Sequence, residues 1–342
     1  MLKVCLTTFC FFFVFVSLTA QGAEPGWVRN PYSRFNNQTH LAVIGSGISR
    51  SAAERDAIAR LAATFGVDIQ VDERLRESYR VVTRNGAASW VQYSEFDSEI
   101  RTAVAMNNLI GVEIIEVWNN GRGTNYALAV MNRARARQIY SELIRANHEA
   151  IENLLDMSPE ESNTLAGFSR YQLAAVFADM NISYGAVLAV LGVPVQGLIR
   201  GENFRREAQE IRANIPIGIN VTNDMDARIQ DAFARTFADL GFRTGGTNHR
   251  YVLNVSVDIN FEHRYSQHHD AWINWVYMTL RAELSDSITG TVLIPYSIHN
   301  LREGHVNQRQ AEDWVFRNAV AAINREYRDL VSEYLSRLVP TR

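Results

Sequence analysis

The sequence predicts an α+β protein of two domains, each a small, mainly antiparallel sheet packed with helices, joined by a helical segment. Three observations carry this expectation. Tyr251, Leu253, Val255, Val257, Ile259 and Phe261 alternate with polar residues, the period-two signature of a strand with one buried side. Helix starts are well marked, most clearly at Ser158-Pro159-Glu160-Glu161, where a cap is followed by proline at the first position and acids on the positive end of the dipole. A chain of 342 residues with 47% hydrophobic and 21% charged residues is long enough for two ordinary domains and too apolar for disorder.

The first residues set the compartment. Met1-Leu2-Lys3 is a short positive start, residues 4–18 are almost wholly apolar, and small residues follow at Thr19, Ala20, Gly22 and Ala23. This pattern predicts a secretory signal peptide over residues 1–23, removed near Ala20 to Ala23. Both cysteines, Cys5 and Cys10, and the only lysine, Lys3, lie inside it. The remaining chain therefore excludes thiolate catalysis, disulfides, Cys-ligated zinc, the P-loop lysine and pyridoxal Schiff bases. Cys10 sits in the middle of the apolar run, so it is no lipobox cysteine. Losing Lys3 moves the formal charge from −3 to −4, which gives nucleic-acid binding no electrostatic support. No second apolar run is expected to reach the roughly 20 residues of a membrane helix, so the mature chain is read as soluble or held at a membrane by a partner.

The elements follow in order. Residues 24–31 form a turn-rich leader, and residues 41–44 a strand ending in Gly45-Ser46-Gly47. Ser51 and Glu54 form a capping box for a helix with Ile58, Leu61, Ala62 and Phe65 as its stripe, stopped by Gly66. Val67, Ile69 and Val71 alternate as a strand, residues 90–93 look strand-like, and residues 96–106 helical. Residues 112–118 and 126–131 are strands joined by Asn119-Asn120-Gly121-Arg122-Gly123, a hairpin signal, and a long helix covers Arg133–Leu155. Ser158 opens a helix to about Met180, with further helical or apolar sequence to Val193. The charged stretch 201–212 marks a domain boundary. Beyond it come a strand at 215–221, a helix at 224–240 capped by Gly241, the alternating strand 251–261, a polar loop at 262–270, a strand at 272–284, a turn at 286–290 and a strand at 292–298. A last helix, 308–338, carries Trp314, Val315, Ala319, Ile323, Tyr327 and Leu330 on its apolar side. The order β-α-β-β-β-α places helices on one face of a largely antiparallel sheet. The expected division is 24–156 for the first domain, 157–204 for a helical connector packed on it, and 205–342 for the second.

Chemistry has few places to reside. Gly45-Ser46-Gly47 between strand and helix invites a phosphate loop, but the dinucleotide fingerprint lacks its third glycine, where Arg50 stands, although Asp72 could supply the acid; a structural turn is favoured. His263, His268, His269, His299 and His305, with Glu262, Asp270 and Glu303 nearby, are the richest titratable cluster and weak candidates for zinc. None has the helical His-x-x-x-His spacing, and a solvated hairpin loop is the simpler reading. Trp272, Trp275 and Tyr277 read as hairpin contacts rather than a sugar platform. No cofactor is expected. A partner surface is expected on the open side of the second sheet, at Asn254, Ser256, Asp258, Trp275 and Tyr277.

Pro25-Gly26-Trp27-Val28 with Asn30-Pro31, followed by a short strand and Ser49-Arg50-Ser51-Ala52-Ala53-Glu54-Arg55-Asp56-Ala57, resembles the LPP20 family of bacterial envelope lipoproteins. Glu116-Val117-Trp118, the Gly-rich turn and Tyr126-Ala127-Leu128-Ala129 are similar to the second half of that module, which also resembles the N-terminal part of flagellar assembly protein T. The resemblance covers about residues 25–155 and departs from the family in the missing lipobox. It implies a non-enzymatic cell-envelope protein. With the leader and the missing lipobox, the expectation is export to the periplasm of a Gram-negative bacterium, outer-membrane association, and binding or scaffolding in an envelope or flagellar assembly. The competing expectation is a metal-dependent hydrolase built on the histidine-rich residues 262–270 and 299–305. Mass spectrometry of the exported protein should find an N-terminus at Gln21, Ala23 or Glu24; an intact Met1, or a lipid on Cys10, would overturn the leader assignment.

Overall fold

The computed structural model describes residues 23–65, 110–245 and 249–338. The expected strands near Val67 and Trp90, the helix at 96–106, and Asp72 lie outside them. The fold is α+β with two sheets, and the chain divides into two compact units, one of residues 1–64 with 111–134 and one of residues 65–110 with 135–342.

The first unit is a three-stranded antiparallel sheet of β1 (His40–Gly47), β2 (Val112–Asn119) and β3 (Asn125–Asn132) in the order β1-β3-β2. Both faces are covered. On one, Ala42, Leu128 and Val130 pack with Trp27, which sits in a 3-10 turn (Gly26–Val28) and is only 2% exposed. The turn-rich leader is thus a structural cover. On the other, α1 (Arg50–Ala63) lays Ala53 and Ala57 on Ala127 and Ala129. Gly45 and Gly47 belong to β1 and share this face. A Cβ on Gly45 would overlap the backbone of Ala57, and one on Gly47 the backbone of Ala53. Glycine here brings helix and strand into close approach. The Ser46 N–H is used by Asp56, whose Oδ2 lies 2.8 Å away; that hydrogen bond outweighs burial and, with Arg60, lowers the Asp56 pKa.

The expected cap of α1 moves by two residues. Ser49, in extended conformation, accepts the Ala52 N–H, and Ser51 lies within the first turn. The buried stripe is Ala53, Ala57 and Leu61 rather than one running through Ile58, because only small side chains fit against the glycines.

The first described helix of the second unit is α2 (Arg133–Leu155), whose first turn contains the boundary between units. Ser158 is the expected cap and forms a capping box with Glu161, but the helix it opens, α3 (Pro159–Ser162), ends after four residues. Thr164 then caps α4 (Leu165–Val190) by accepting the Gly167 N–H. At 26 residues α4 is long and apolar enough to cross a membrane, which the sequence reading had not expected; more than half of that apolar window is buried within the protein. Two of its polar groups face α2: buried Asn147 donates from Nδ2 to Asn181 Oδ1 at 2.9 Å, and Tyr140 meets Tyr184 edge-on. The charged stretch expected as a boundary is α5 (Gly201–Ala213), anchored where Asp179 accepts the Gly201 N–H and pairs with Arg205.

The second sheet orders β4 (Ile217–Thr222), β5 (Tyr251–Ser266), β6 (Ala271–Asp286) and β7 (Thr291–His305) as β4-β5-β6-β7, with β4 parallel to β5 and the rest antiparallel. α6 (Arg228–Asp239) joins β4 to β5 and starts later than expected, since Asp226 and Ala227 are left-handed and Asp224 caps it from outside through the Ile229 and Gln230 N–H groups. α6 and α7 (Gln308–Arg337) cover one face. Leu253, Val255 and Val257 from β5 and Met278 and Leu280 from β6 meet Phe233, Phe237, Val315, Ile323 and Tyr327 there. Phe233 stands edge-on to Tyr327 at 4.8 Å between centroids. The expected connector, residues 157–204, belongs to this unit. Leu165 and Phe168 join the same core, and the Leu165 N–H donates to the Tyr251 hydroxyl at 3.3 Å.

Two expected packings fail here. The helices cover β5 only to about Ile259, so Phe261 is 55% exposed. Trp314 points away from the buried stripe of α7, which runs through Ala311, Val315, Ala319, Ile323, Tyr327 and Val331.

Two substitutions test this packing. Gly45→Val forces a side chain into backbone and should destabilise by about 1–3 kcal/mol or more, read as a lower urea midpoint. Val255→Asp buries an unpaired carboxylate and should cost several kcal/mol, whereas Asp258→Ala on the opposite face should stay within about 0.5 kcal/mol.

Candidate functional site

The polar loop expected at 262–270 is instead the outer part of a long hairpin. β5 and β6 pair in unbroken register from Tyr251 with Asp286 to Ser266 with Ala271, and only the four residues 267–270 turn. β4 pairs with β5 no further than Ser256. Ten residues of β5 therefore run past the edge strand, forming a tongue with β6 and the end of β7.

The tongue has two faces. On the helix side but beyond the helices stand Phe261, His263, Tyr265 and Trp272. His263 stacks on Trp272, with centroids 5.0 Å apart and planes 11° from parallel, while Tyr265 meets the same indole at a steep angle and donates its hydroxyl to Asp270. Phe261, Tyr265 and Trp272 are 55%, 44% and 57% exposed, so the patch is aromatic and open to solvent. The sequence pattern assigns Phe261 to the buried side and Tyr265 to a polar loop, and places Trp272 among hairpin contacts. The signal available was the partnering of Tyr265 with Trp272, hidden by reading 262–270 as loop.

The five expected partner-surface residues share the opposite face. Asn254 accepts from Asn220 Nδ2 at 3.1 Å, Asp258 bridges Arg281 at 3.2 Å, and Ser256 is half-buried between them. Further along, Trp275 lies over Gly304, with Arg302 4.8 Å from the centroid of its ring, and Tyr277 donates to Glu262 at 2.7 Å. These side chains form a polar and aromatic ladder already engaged within the sheet.

The histidines do not converge. His263 and His305 each lie one strand from Asn274, hence about 10 Å apart across the sheet. The Nδ1 atom of His263 meets Asn274 Oδ1 at 2.9 Å, and that of His305 accepts the Asn307 N–H. His299 lies on the other face, bonded to Ser297 at 2.9 Å, and His268 and His269 pack on each other in the turn. Among the described residues, no three His, Cys, Asp or Glu side chains are grouped to hold a metal ion.

An open cleft of about 410 Å³ lies between α6 and α7, lined by Arg228, Asp231, Arg235, Asp313 and Arg317, with Arg228 bridging Asp313 at 2.9 Å. Elsewhere among the described residues, hydrogen bonds and burial shift individual tyrosines and carboxyls. Hydrogen bonds to Asp270 and Glu262 raise Tyr265 and Tyr277. For Asp286, 5% exposed, burial pushes the pKa up, but the Ile288 N–H and the Arg250 guanidinium 2.9 Å away outweigh it and hold the carboxyl low.

Two solved structures are similar in part. The secreted protein HP1454 from Helicobacter pylori matches at a TM-score of 0.40 and 15% identity, covering 83% of this chain and 96% of that one. A minor lipoprotein from Acinetobacter baumannii matches at a TM-score of 0.27 and 11% identity, covering 34% of this chain and 92% of that one. No family model and no curated protein matches the sequence.

Asp286 offers a test by pH. Its carboxyl is lowered in the fold from an unfolded value near 3.9, so its stabilisation is complete above about pH 4 and is lost as pH falls through the folded value. Asp286→Asn should cost about 2 kcal/mol at pH 7 and flatten the acid limb of a stability-against-pH curve.

Proposed function

We propose that this is an exported cell-envelope protein with a binding or scaffolding role and no catalysed reaction, held in an envelope or flagellar assembly by protein partners. The carrying observation is the aromatic tongue, where Phe261, Tyr265 and Trp272 stand exposed on a continuously paired hairpin. Exposed aromatics on a fixed frame supply contact area at small entropic cost, and such residues are enriched in the cores of protein interfaces. The leader-like start supports export to the periplasm, and the LPP20-like pattern of residues 25–155 supports an envelope setting. In this reading residues 205–342 form the partner-binding module, with the ladder of Asn254, Ser256, Asp258, Trp275 and Tyr277 as its second contact face.

Crosslinking in intact cells tests the tongue. The pair Tyr265→Ala and Trp272→Ala, both at exposed positions, should keep the urea midpoint within about 0.5 kcal/mol per site and reduce recovery of a reproducible envelope partner at least tenfold. Retention by this pair with loss in Asp258→Ala would move the surface to the opposite face. Stoichiometric zinc or iron in protein purified without added metal would favour the hydrolase.

A further inference from the structure

We propose that the cleft between α6 and α7 is a binding site for a small organic acid, whose carboxylate or phosphate group is held between Arg235 and Arg317. The two helices run in the same direction along it. Arg228 at the start of α6 reaches Asp313 near the start of α7, and Phe237 further along meets Tyr327. Arg228, Asp231 and Arg235 project from successive turns of α6, and Asp313, Arg317 and Val320 from successive turns of α7. Each wall is therefore set by helix geometry, and the opening of about 410 Å³ between them has the size of a small-molecule site.

The charges of this cleft do not satisfy one another. Arg235 and Arg317 each follow an acid by four residues, Asp231 and Asp313, the spacing at which a helical ion pair can form. The chain closes that spacing elsewhere, as Asp56 with Arg60 and Glu333 with Arg337. Here neither pair closes. Asp313 is drawn across the cleft to Arg228 at 2.9 Å. Arg235, Arg317 and Asp231 have no ion pair and no side-chain hydrogen bond among the described residues. Three guanidinium groups against two carboxylates leave the cleft with one positive charge in excess, and arginine keeps its charge at any physiological pH.

The class of ligand follows from these donors. A guanidinium fork matches a carboxylate or a phosphate with two parallel N–H bonds, and one oxyanion between two forks takes charge-assisted hydrogen bonds from both walls. The Ile229 and Gln230 N–H groups at the start of α6 are already taken by Asp224, so the arginines and not the helix end supply the recognition. The rest of the lining is apolar: Ala232 is 2% exposed and Val320 is half-buried. That surface suits a short hydrocarbon body attached to the anion. None of the lining residues belongs to β5 or β6, so this site stands apart from the aromatic tongue.

Calorimetric titration of the full exported protein with inorganic phosphate and with succinate, at constant ionic strength, tests the site. Both anions should bind saturably at millimolar concentration. Arg235→Gln and Arg317→Gln should each weaken binding at least tenfold and leave the urea midpoint unchanged, since neither side chain is bonded in the free protein. Arg122→Gln, in the turn between β2 and β3, should bind as the wild type does. Asp231→Asn removes a like charge and should tighten binding severalfold. Failure of both anions to saturate, or equal affinity in the wild type and the two cleft arginine variants, would overturn the proposal. Sedimentation with phosphatidylglycerol vesicles separates the sources of the anion. The protein should stay in the supernatant; vesicle binding that is lost in Arg235→Gln and Arg317→Gln, without binding of either free anion, would assign the cleft to a lipid headgroup and overturn the small-ligand site.

Discussion

The second unit depends on the uninterrupted pairing of β5 with β6. Sixteen residues in constant register mean that one alternation decides every side chain's face. Where α6 and α7 lie beneath, that alternation delivers Leu253, Val255, Val257, Met278 and Leu280 to the core. Where the helices end, the same alternation continues and delivers Phe261, Tyr265 and Trp272 to solvent. Core and candidate site are thus one pattern, differing only in what covers it. Asp286 closes the base of the second hairpin, bonding the Ile288 N–H and Arg250, so the strand pair is held at its inner end while its outer end stands clear.

How much of this could be read in advance varies by element. The period of Tyr251 to Val257 named its buried face correctly, and Asn119 to Gly123 named its hairpin, because both signals are local. Capping at Ser158 was visible, but the end of its helix at Ser162 was not, since Thr164 re-caps the chain two residues later. The stripe of α1 was legible at Leu61 and Phe65, which are buried, but not at Ala53 and Ala57, because close approach to Gly45 and Gly47 depends on a strand and a helix meeting in space. The candidate site was harder still. His263, Arg264 and Tyr265 look like loop residues on composition, and only their pairing with β6 makes them strand. The five residues named for the open face do share it, whereas the exposed aromatics on the other side follow from where helices stop, which no sequence period records.

The first unit solves a different packing problem. A three-stranded sheet is thin and must be covered on two sides, and the chain uses unlike covers for them. Trp27 fills one side with a single large side chain carried by a 3-10 turn. α1 fills the other by bringing backbone almost to backbone over alanine and glycine. The first arrangement rests on apolar area removed from water, and the second on close van der Waals contact.

The buried amides of Asn147 and Asn181 carry a consequence for how α2 and α4 assemble. An apolar helix such as α4 can slide or rotate on a neighbour with little change in buried area, so hydrophobicity alone leaves many near-equivalent docked arrangements. One amide pair removes that degeneracy, because any other alignment strands two hydrogen-bonding groups in a dry environment. The pair therefore acts as an index mark that sets the axial position of one helix on the other. A matched pair of leucines there would pack as tightly and leave the alignment unspecified.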